Sequence, residues 1–322
     1  MVDGKGSRKK PAVPSTIHSH IYPLSPNQRA WLRLRRNTPA VVSAAFLLFM
    51  LALALLVPVF SPHAADHGSD AQFAAPGASH WFGTDVHGRD LFTRVFAGAR
   101  ISLLVGAVGA GVSLVIGVGW GLVAGYAGGR TDGLMMRFVD VLYSLPSIVF
   151  VIVLITTLEG TVRKLVVAVA PSLEPSARML FLFAGLGAVS WLTMARIVRG
   201  QVLSLRTRQF VLASQALGAS HRRILFRHIL PNVLGLVIVY LTLTVPAIVL
   251  YESFLSYLGL GIQPPQASLG TLIAEGAAQI NPLRVYWWLV ACPGTVLALT
   301  LLALNFLGDG LRDALDPRAE AA

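Results

Sequence analysis

At 322 residues, with 55% hydrophobic and only 13% charged side chains, the chain is too apolar for an ordinary soluble domain. Its 26 Lys+Arg against 15 Asp+Glu would suit a nucleic-acid binder, but the basic residues stand beside apolar runs, which is the pattern of membrane orientation. A mean hydropathy of +0.67 fits a polytopic membrane protein, and the single cysteine, Cys292 in an apolar run, excludes disulfides and cysteine-metal sites within one chain.

Residues 1–39 hold eight Lys/Arg and one acid, Asp3, and read as a cytoplasmic tail. Its Trp31–Arg36 part reads equally as an amphipathic helix in the headgroup layer or as a solvated charge run. Residues 40–60 are uncharged and long enough to span a bilayer. The basic region before them is too long for a cleaved signal peptide, and no small-x-small site follows cleanly. Residues 61–100 are polar and predicted external. They carry His63, His67, His80 and His87 with Asp66, Asp70, Asp85 and Asp90, yet no ligand pair has the tight spacing of a strong metal signal. Within them Gly83-Thr84-Asp85 and Gly88-Arg89-Asp90 form turns with alternating charges, suited to locking an external loop against the span that follows.

Residues 101–308 are predicted to be the transmembrane core. Between Arg100 and Arg130 nothing is charged, and Gly117, Gly121 and Gly125 make a small-xxx-small ridge for close helix packing. Arg130 through Asp140 reads as a short inner turn, and Val141–Leu158 as the third span, bent by Pro146 near its start. Residues 159–177 read as an outer loop with Pro171 and Pro175, holding at most a short interfacial helix. The fourth span lies between Arg178 and Arg196, an inner loop covers 199–230, and the fifth span is Val233–Tyr251. Glu252 at its far end is a costly carboxylate in or near the membrane. It marks a pathway or an interhelical pairing, or else it reaches the interface as a helix-end group. Residues 254–283 are apolar, but Gly259, Gly261, Pro264 and Pro265 forbid a lipid-facing helix, so an outer loop or partial re-entry is expected. Tyr286–Phe306 is the sixth span, with a kink at Pro293, and 309–322 return as a cytoplasmic tail. Inner segments then hold 19 of the 26 Lys/Arg, which supports six spans with both ends inside.

The stretch Arg206–Asn232 stands out between two apolar runs. It carries Arg206, Arg208, Arg222, Arg223 and Arg227 and no acid. Phe210, Ala213, Ser214 and Leu217 fall at helical spacing, which predicts one small apolar face. Gly218 suits the left-handed residue that ends this first helix. Ser220 caps a second helix, and Pro231 opens the next apolar run, where a missing N–H costs nothing. The expected product is a cationic helix–Gly–helix elbow at a membrane surface.

These residues carry a resemblance. Ala213, Gly218, Leu230 and Pro231 resemble the cytoplasmic coupling loop of permease subunits of ABC importers, with its Glu-Ala-Ala, its glycine and its Leu-Pro. Ser214 is a mild change, and Leu212 stands where that family has its glutamate. The resemblance extends over residues 80–317: the Gly83–Asp90 turns, Val189–Ser204, Glu252–Gly261 and Asp309–Pro317 are together similar to the second, C-type permease of oligopeptide and dipeptide importers. It implies an all-α type I importer permease fold of six transmembrane helices in the bacterial inner membrane. It further implies a second permease subunit, two ATP-binding-cassette ATPases and an external peptide-binding protein as partners, with no nucleic acid involved. Phe210, Leu212, Ala213, Ser214, Leu217, Gly218, Ala219, Arg222, Arg223 and Pro231 would form the ATPase-coupling surface. Glu252 would serve the pathway or a pairing, and Gly83, Asp85, Gly88, Arg89 and Asp90 the external signature.

The chain has no Gly-Lys-Ser/Thr phosphate loop, nucleophile elbow or His-Glu-x-x-His, and no paired carboxylates in a span. No cofactor is expected, and ATP would be bound by the partners. A permease for nickel or another small solute is the alternative within transport. A membrane-embedded enzyme and a stand-alone channel or ion-driven carrier are the rivals of other classes.

Overall fold

The computed structural model describes residues 26–169, 174–264 and 266–315. Its helices are α1 (Pro26–Arg36), α2 (Thr38–Phe60), α3 (Leu91–Ala127), α4 (Gly129–Tyr143), α5 (Ser147–Val169), α6 (Glu174–Leu205), α7 (Gln209–Ala216), α8 (His221–Arg223), α9 (Leu230–Tyr257), α10 (Leu269–Ala278) and α11 (Trp288–Leu315). Among the described residues there is no strand, only isolated bridges at Thr84–Asp90 and Asn281–Arg284. Among the described residues five helical runs are long and apolar enough to cross a bilayer, and six if the bent pair α4–α5 counts as one span, which is the predicted number.

The glycine ridge finds its partner in α6. A Cβ at Gly117 would stand 2.6 Å from Met194 Cβ, at Gly121 2.6 Å from the Ala195 carbonyl oxygen, and at Gly125 2.7 Å from Val202 Cβ. Only hydrogen fits at these three positions, and α3–α6 is accordingly the most extensive helix contact among the described residues. The third helix of the core is α9, whose Ile248 and Leu255 pack with Val105 of α3 and with Phe183 and Leu186 of α6.

Several predicted boundaries move. The tail helix begins at Pro26, before Trp31, and Asn37 separates it from α2, accepting the Ala40 N–H at 3.2 Å. The predicted loop 61–100 ends ten residues early, because Asp90 caps α3 by accepting the Thr93 N–H at 2.9 Å. Arg94, whose charge suggested solvent, is instead neutralised inside the fold. Residues 130–140 are not a turn but most of α4, with Asp132, Met136 and Val139 buried on one face. The chain then breaks by 89° between Tyr143 and Ser147, a larger bend than Pro146 alone announces. The predicted outer loop 159–177 is largely helical: α5 runs to Val169 and α6 starts at Glu174, leaving Pro175 in a first turn, where its missing N–H costs nothing. Pro171 lies outside the described residues. At the far end α11 continues to Leu315, so the first seven residues of the predicted tail 309–322 are helical, and 316–322 lie outside the described residues.

The segment after α9 folds back against it. The Ile262 N–H returns to Ser256 Oγ at 3.2 Å, and Gly270 sits against the Ser253 backbone where no side chain would fit. Ser268 and Thr271 then form a capping box that starts α10.

Candidate functional site

The elbow and the 61–90 loop lie at opposite ends of the bundle, since one meets the C-terminal end of α3 and the other its N-terminal end. With 37 residues in α3, these ends are roughly 55 Å apart.

At the elbow end α7 is terminated as its turn chemistry dictates. Gly218 takes φ +76°, its N–H bonds the Gln215 carbonyl at 2.9 Å, and the Ala219 N–H bonds the Ser214 carbonyl at 3.0 Å. These two bonds are a Schellman motif. Ser220 then caps the next helix, its Oγ accepting the Arg223 N–H. Pro231 stands in the first turn of α9, as expected, where its missing N–H costs nothing. His221–Tyr257 is one run, interrupted by a π-helical turn at Ile224–Ile229. The wider turn lies just before the point where Pro231 has no N–H to offer the Arg227 carbonyl.

Val211, Ile224 and Ile229 are fully buried and fix the elbow to Val198, Val202 and Val233. Tyr126 Oη, at the end of α3, lies 2.9 Å from His221 Nδ1, and a cleft of about 560 Å³ opens between Tyr126, Arg206, Gln215 and His221. What remains on the outside is the predicted surface. Phe210, Ala213, Leu217, Arg222 and Arg223 are exposed, Leu217 at 88%, and Ser214 turns its hydroxyl back onto the Phe210 carbonyl. Leu212 is 50% exposed, roughly 100° round the helix from Ala213. An apolar stripe beside arginines that have no partner among the described residues, held on a buried base, can dock a protein with an acidic rim.

At the loop end the predicted signature residues converge. Asp85 accepts the His87 and Arg89 N–H groups at 2.8 and 3.0 Å, Arg89 Nε at 2.7 Å and Arg94 Nη1 at 2.6 Å. Burial works against the Asp85 charge, but the Arg89 amide, the Arg94 guanidinium and the other bonds together hold its carboxyl below the ordinary range. Arg94 also reaches Glu275 of α10 at 2.8 Å. Asp90 holds His80 at 3.0 Å besides capping α3, while Gly83 and Gly88 adopt positive φ. Among the described residues no three His, Cys, Asp or Glu side chains converge as for a metal.

Glu252 lies between the two ends and is 0% exposed. It therefore does not reach the interface as a helix-end group. Its carboxylate accepts Ser256 Oγ at 2.6 Å and Ser102 Oγ of α3 at 3.0 Å, and Ser102 Oγ in turn accepts the Leu269 N–H that begins α10. This is a pairing of α3, α9 and the start of α10. Glu252→Gln keeps the size but turns one oxygen into a donor facing hydroxyl donors. We expect the fold to hold but the tie of α10 to α3 to loosen, with severalfold faster exchange of the Leu269 amide; exchange at the wild-type rate would leave the pairing without weight.

Sequence reasoning missed the pairs that tie distant segments. Arg199 forks onto Asp132 of α4, with Nη2 to Oδ2 at 2.7 Å, and Arg196 meets Asp140 at 2.6 Å. Their only sequence signal is charge at helical spacing on two helices that flank the apolar runs.

Residues 117–321 match the model of the binding-protein-dependent transport system inner membrane component family. Residues 25–76 match the N-terminal transmembrane domain of oligopeptide transport permease C. The chain is 45% identical to the dipeptide transport system permease protein DppC of Bacillus subtilis, over 92% of this chain and 87% of that one. It is 46% identical to the oligopeptide transport system permease protein OppC of Haemophilus influenzae, over 90% and 88%. To OppC of Escherichia coli it is 44% identical, over 90% and 91%. Among solved structures, the inward-facing MetNI methionine ABC transporter is similar in fold, with a TM-score of 0.52 at 20% identity over 70% of this chain and 98% of that one.

Proposed function

The chain belongs to the binding-protein-dependent transport system inner membrane component family, and from that premise we propose that it is a permease subunit of an ATP-driven importer of oligopeptides or dipeptides. The relatives named as peptide permeases span nearly its whole length, and this supports the substrate class. The observation that carries the mechanism is the elbow: a short helix with a bare apolar stripe, beside Arg222 and Arg223 of the next turn, which have no partner among the described residues, built on Val211, Ile224 and Ile229. A second permease subunit completes the pathway in the bacterial inner membrane. Two ATPases bind and hydrolyse ATP and dock on the elbows, and a peptide-binding protein delivers substrate at the loop end. ATP-driven closure of the ATPases pulls the elbow, and α9, continuous with it, tilts against α3 and α6 to alternate access.

Reconstituting both permease subunits in liposomes with and without the ATPase pair tests this reading. Peptide uptake is expected only with the pair, with ATP and with the binding protein; uptake without ATPases would make the chain a channel or carrier. Orientation has its own test. A reporter fused after Leu212 is expected to read cytoplasmic and one within 65–80 external, and an external reading at Leu212 would remove the elbow from any ATPase.

Leucine in place of the family's glutamate need not weaken docking. Burying a leucine side chain contributes on the order of 1.5–3 kcal/mol, against about 0–1 kcal/mol for an exposed ion pair. Leu212→Asp is expected to lower co-purification of the ATPase pair about tenfold, because it places an unpaired charge in the contact. Equal recovery would put Leu212 outside the docked surface.

A further inference from the structure

A groove of about 540 Å³ runs along the loop end of α2, between that helix and the start of α3. Its walls are Leu53, Leu56, Phe60, Trp81 and Phe92. The polar groups that line it, Ser61, His63, Ser79 and Asp90, all belong to the segment between α2 and α3, and the bond of Ser61 to Thr93 puts the Phe92 ring at their level. Two of these are committed within the fold: Ser61 Oγ pairs with Thr93 Oγ1 at 2.7 Å, and Asp90 caps α3 and holds His80. The His63 imidazole and the Ser79 hydroxyl have no hydrogen-bond partner among the described residues.

This order matches bilayer depth. The 23 residues of α2 cover roughly 34 Å, so a helix that just crosses the hydrocarbon has its last residue, Phe60, at one boundary. The polar mouth lies at that boundary, and Leu53 lies roughly 12 Å deeper, eight residues from Ser61 at 1.5 Å each. The groove opens sideways onto the outside of the chain, with Phe60 77% exposed and Trp81 66% exposed at its edge. An aromatic ring at the mouth and apolar walls below are the profile a lipid presents from headgroup to chain. A helix of another subunit would meet the polar mouth with apolar side chains.

We propose that this groove is a phospholipid site of the leaflet at the loop end, with one acyl chain along Leu53 and Leu56 and the phosphate hydrogen-bonded by His63 and Ser79. The occupant joins α2 to the 61–90 loop, which the signature residues lock onto α3. The proposal rests on the membrane fold and not on what is carried.

The test uses the assembled complex in nanodiscs containing a phospholipid with a diazirine halfway along one chain. Irradiation is expected to label Leu53, which is partly buried in the groove, as strongly as Leu55, exposed on α2 outside it. Val57→Trp, which fills the groove, is expected to cut the Leu53 label at least fivefold and to leave Leu55 unchanged. If that variant fails to assemble, His63→Ala with Ser79→Ala is expected to lower the Leu53 label severalfold by loosening the headgroup. An unlabelled Leu53, or a label unmoved by either variant, overturns the site. So does capture of the second permease subunit by a photoreactive residue at Leu56, which would make the groove a protein interface.

Discussion

Gly218→Val is expected to cut ATP-dependent uptake at least fivefold while the subunit stays in the membrane at its normal level. A side chain at 218 would meet nothing: no atom lies within 4 Å of where its Cβ would be. The obstacle is the backbone. At φ +76° a β-branched residue is a genuine outlier, and holding one in such a region costs about 1–3 kcal/mol. Relief means giving up the two Schellman bonds and straightening the turn between α7 and α8. A penalty of about 1–3 kcal/mol corresponds to a five- to 150-fold loss of the bent form, and the bent form is what presents Phe210, Leu212 and Leu217 together. The control is Gly218→Asn, because asparagine tolerates the left-handed region. Uptake and ATPase stimulation in proteoliposomes, with membrane abundance measured beside them, decide the matter. Near wild-type uptake by the valine variant would reduce Gly218 to an ordinary loop residue. An asparagine variant as poor as valine would shift the cause from conformation to close approach by the docked partner.

That prediction could be framed from the chain alone, because turn chemistry is local. Gly218, Ser220 and their spacing announce a C-terminal motif followed by a cap, and the elbow has both. The ridge Gly117, Gly121, Gly125 announces a close contact, but nothing in it names Met194, Ala195 and Val202 as the neighbours. Val211 was hidden for a related reason. In a helix of eight residues, the small face of Phe210, Ala213, Ser214 and Leu217 looks like the packing face, whereas the bundle takes Val211 and leaves that face bare. Both faces are apolar, and only the position of Val198, Val202 and Val233 decides between them.

Charge misled where it was cancelled at a distance. Asp132 and Asp140 made 130–140 look like a solvated turn, yet their partners Arg199 and Arg196 lie 67 and 56 residues away on α6. With the charges paired, helix α4 can pack Met136 and Val139. The same happened at Arg94, whose second partner, Glu275, is 181 residues along the chain. Proline misled in the opposite sense at Pro175, which reads as a loop breaker and sits in a first helical turn.

Arg94→Met is expected to unlock the signature loop from the bundle. Arg94 is 4% exposed and is shared by Asp85, 6% exposed in its side chain, and Glu275, 39% exposed. Removing one partner of a buried pair costs about 3–5 kcal/mol, and Arg89 Nε, still 2.7 Å from Asp85, keeps the loss at the lower end. At about 3 kcal/mol the amides of His87 and Arg89, which both donate to Asp85, should exchange with solvent roughly 100-fold faster than in the wild type, taking a decade per 1.4 kcal/mol. The defect should depend on pH with a definite sign. The folded-state pKa of Asp85 is depressed, so its stabilising contribution is present above about pH 4 and is lost as pH falls through the lower folded value. Without Arg94 the carboxyl loses a cation and takes up its proton at higher pH. The ratio of variant to wild-type exchange, taken at equal pH, should therefore be greatest near neutrality and shrink on acidification towards pH 4. Asp85→Asn added to Arg94→Met should recover part of the protection at pH 7, because the uncompensated charge is gone. A ratio near one at pH 7 would mean that packing of Phe73 on Tyr286 and of Trp288 against Thr84 holds the loop without the ion cluster.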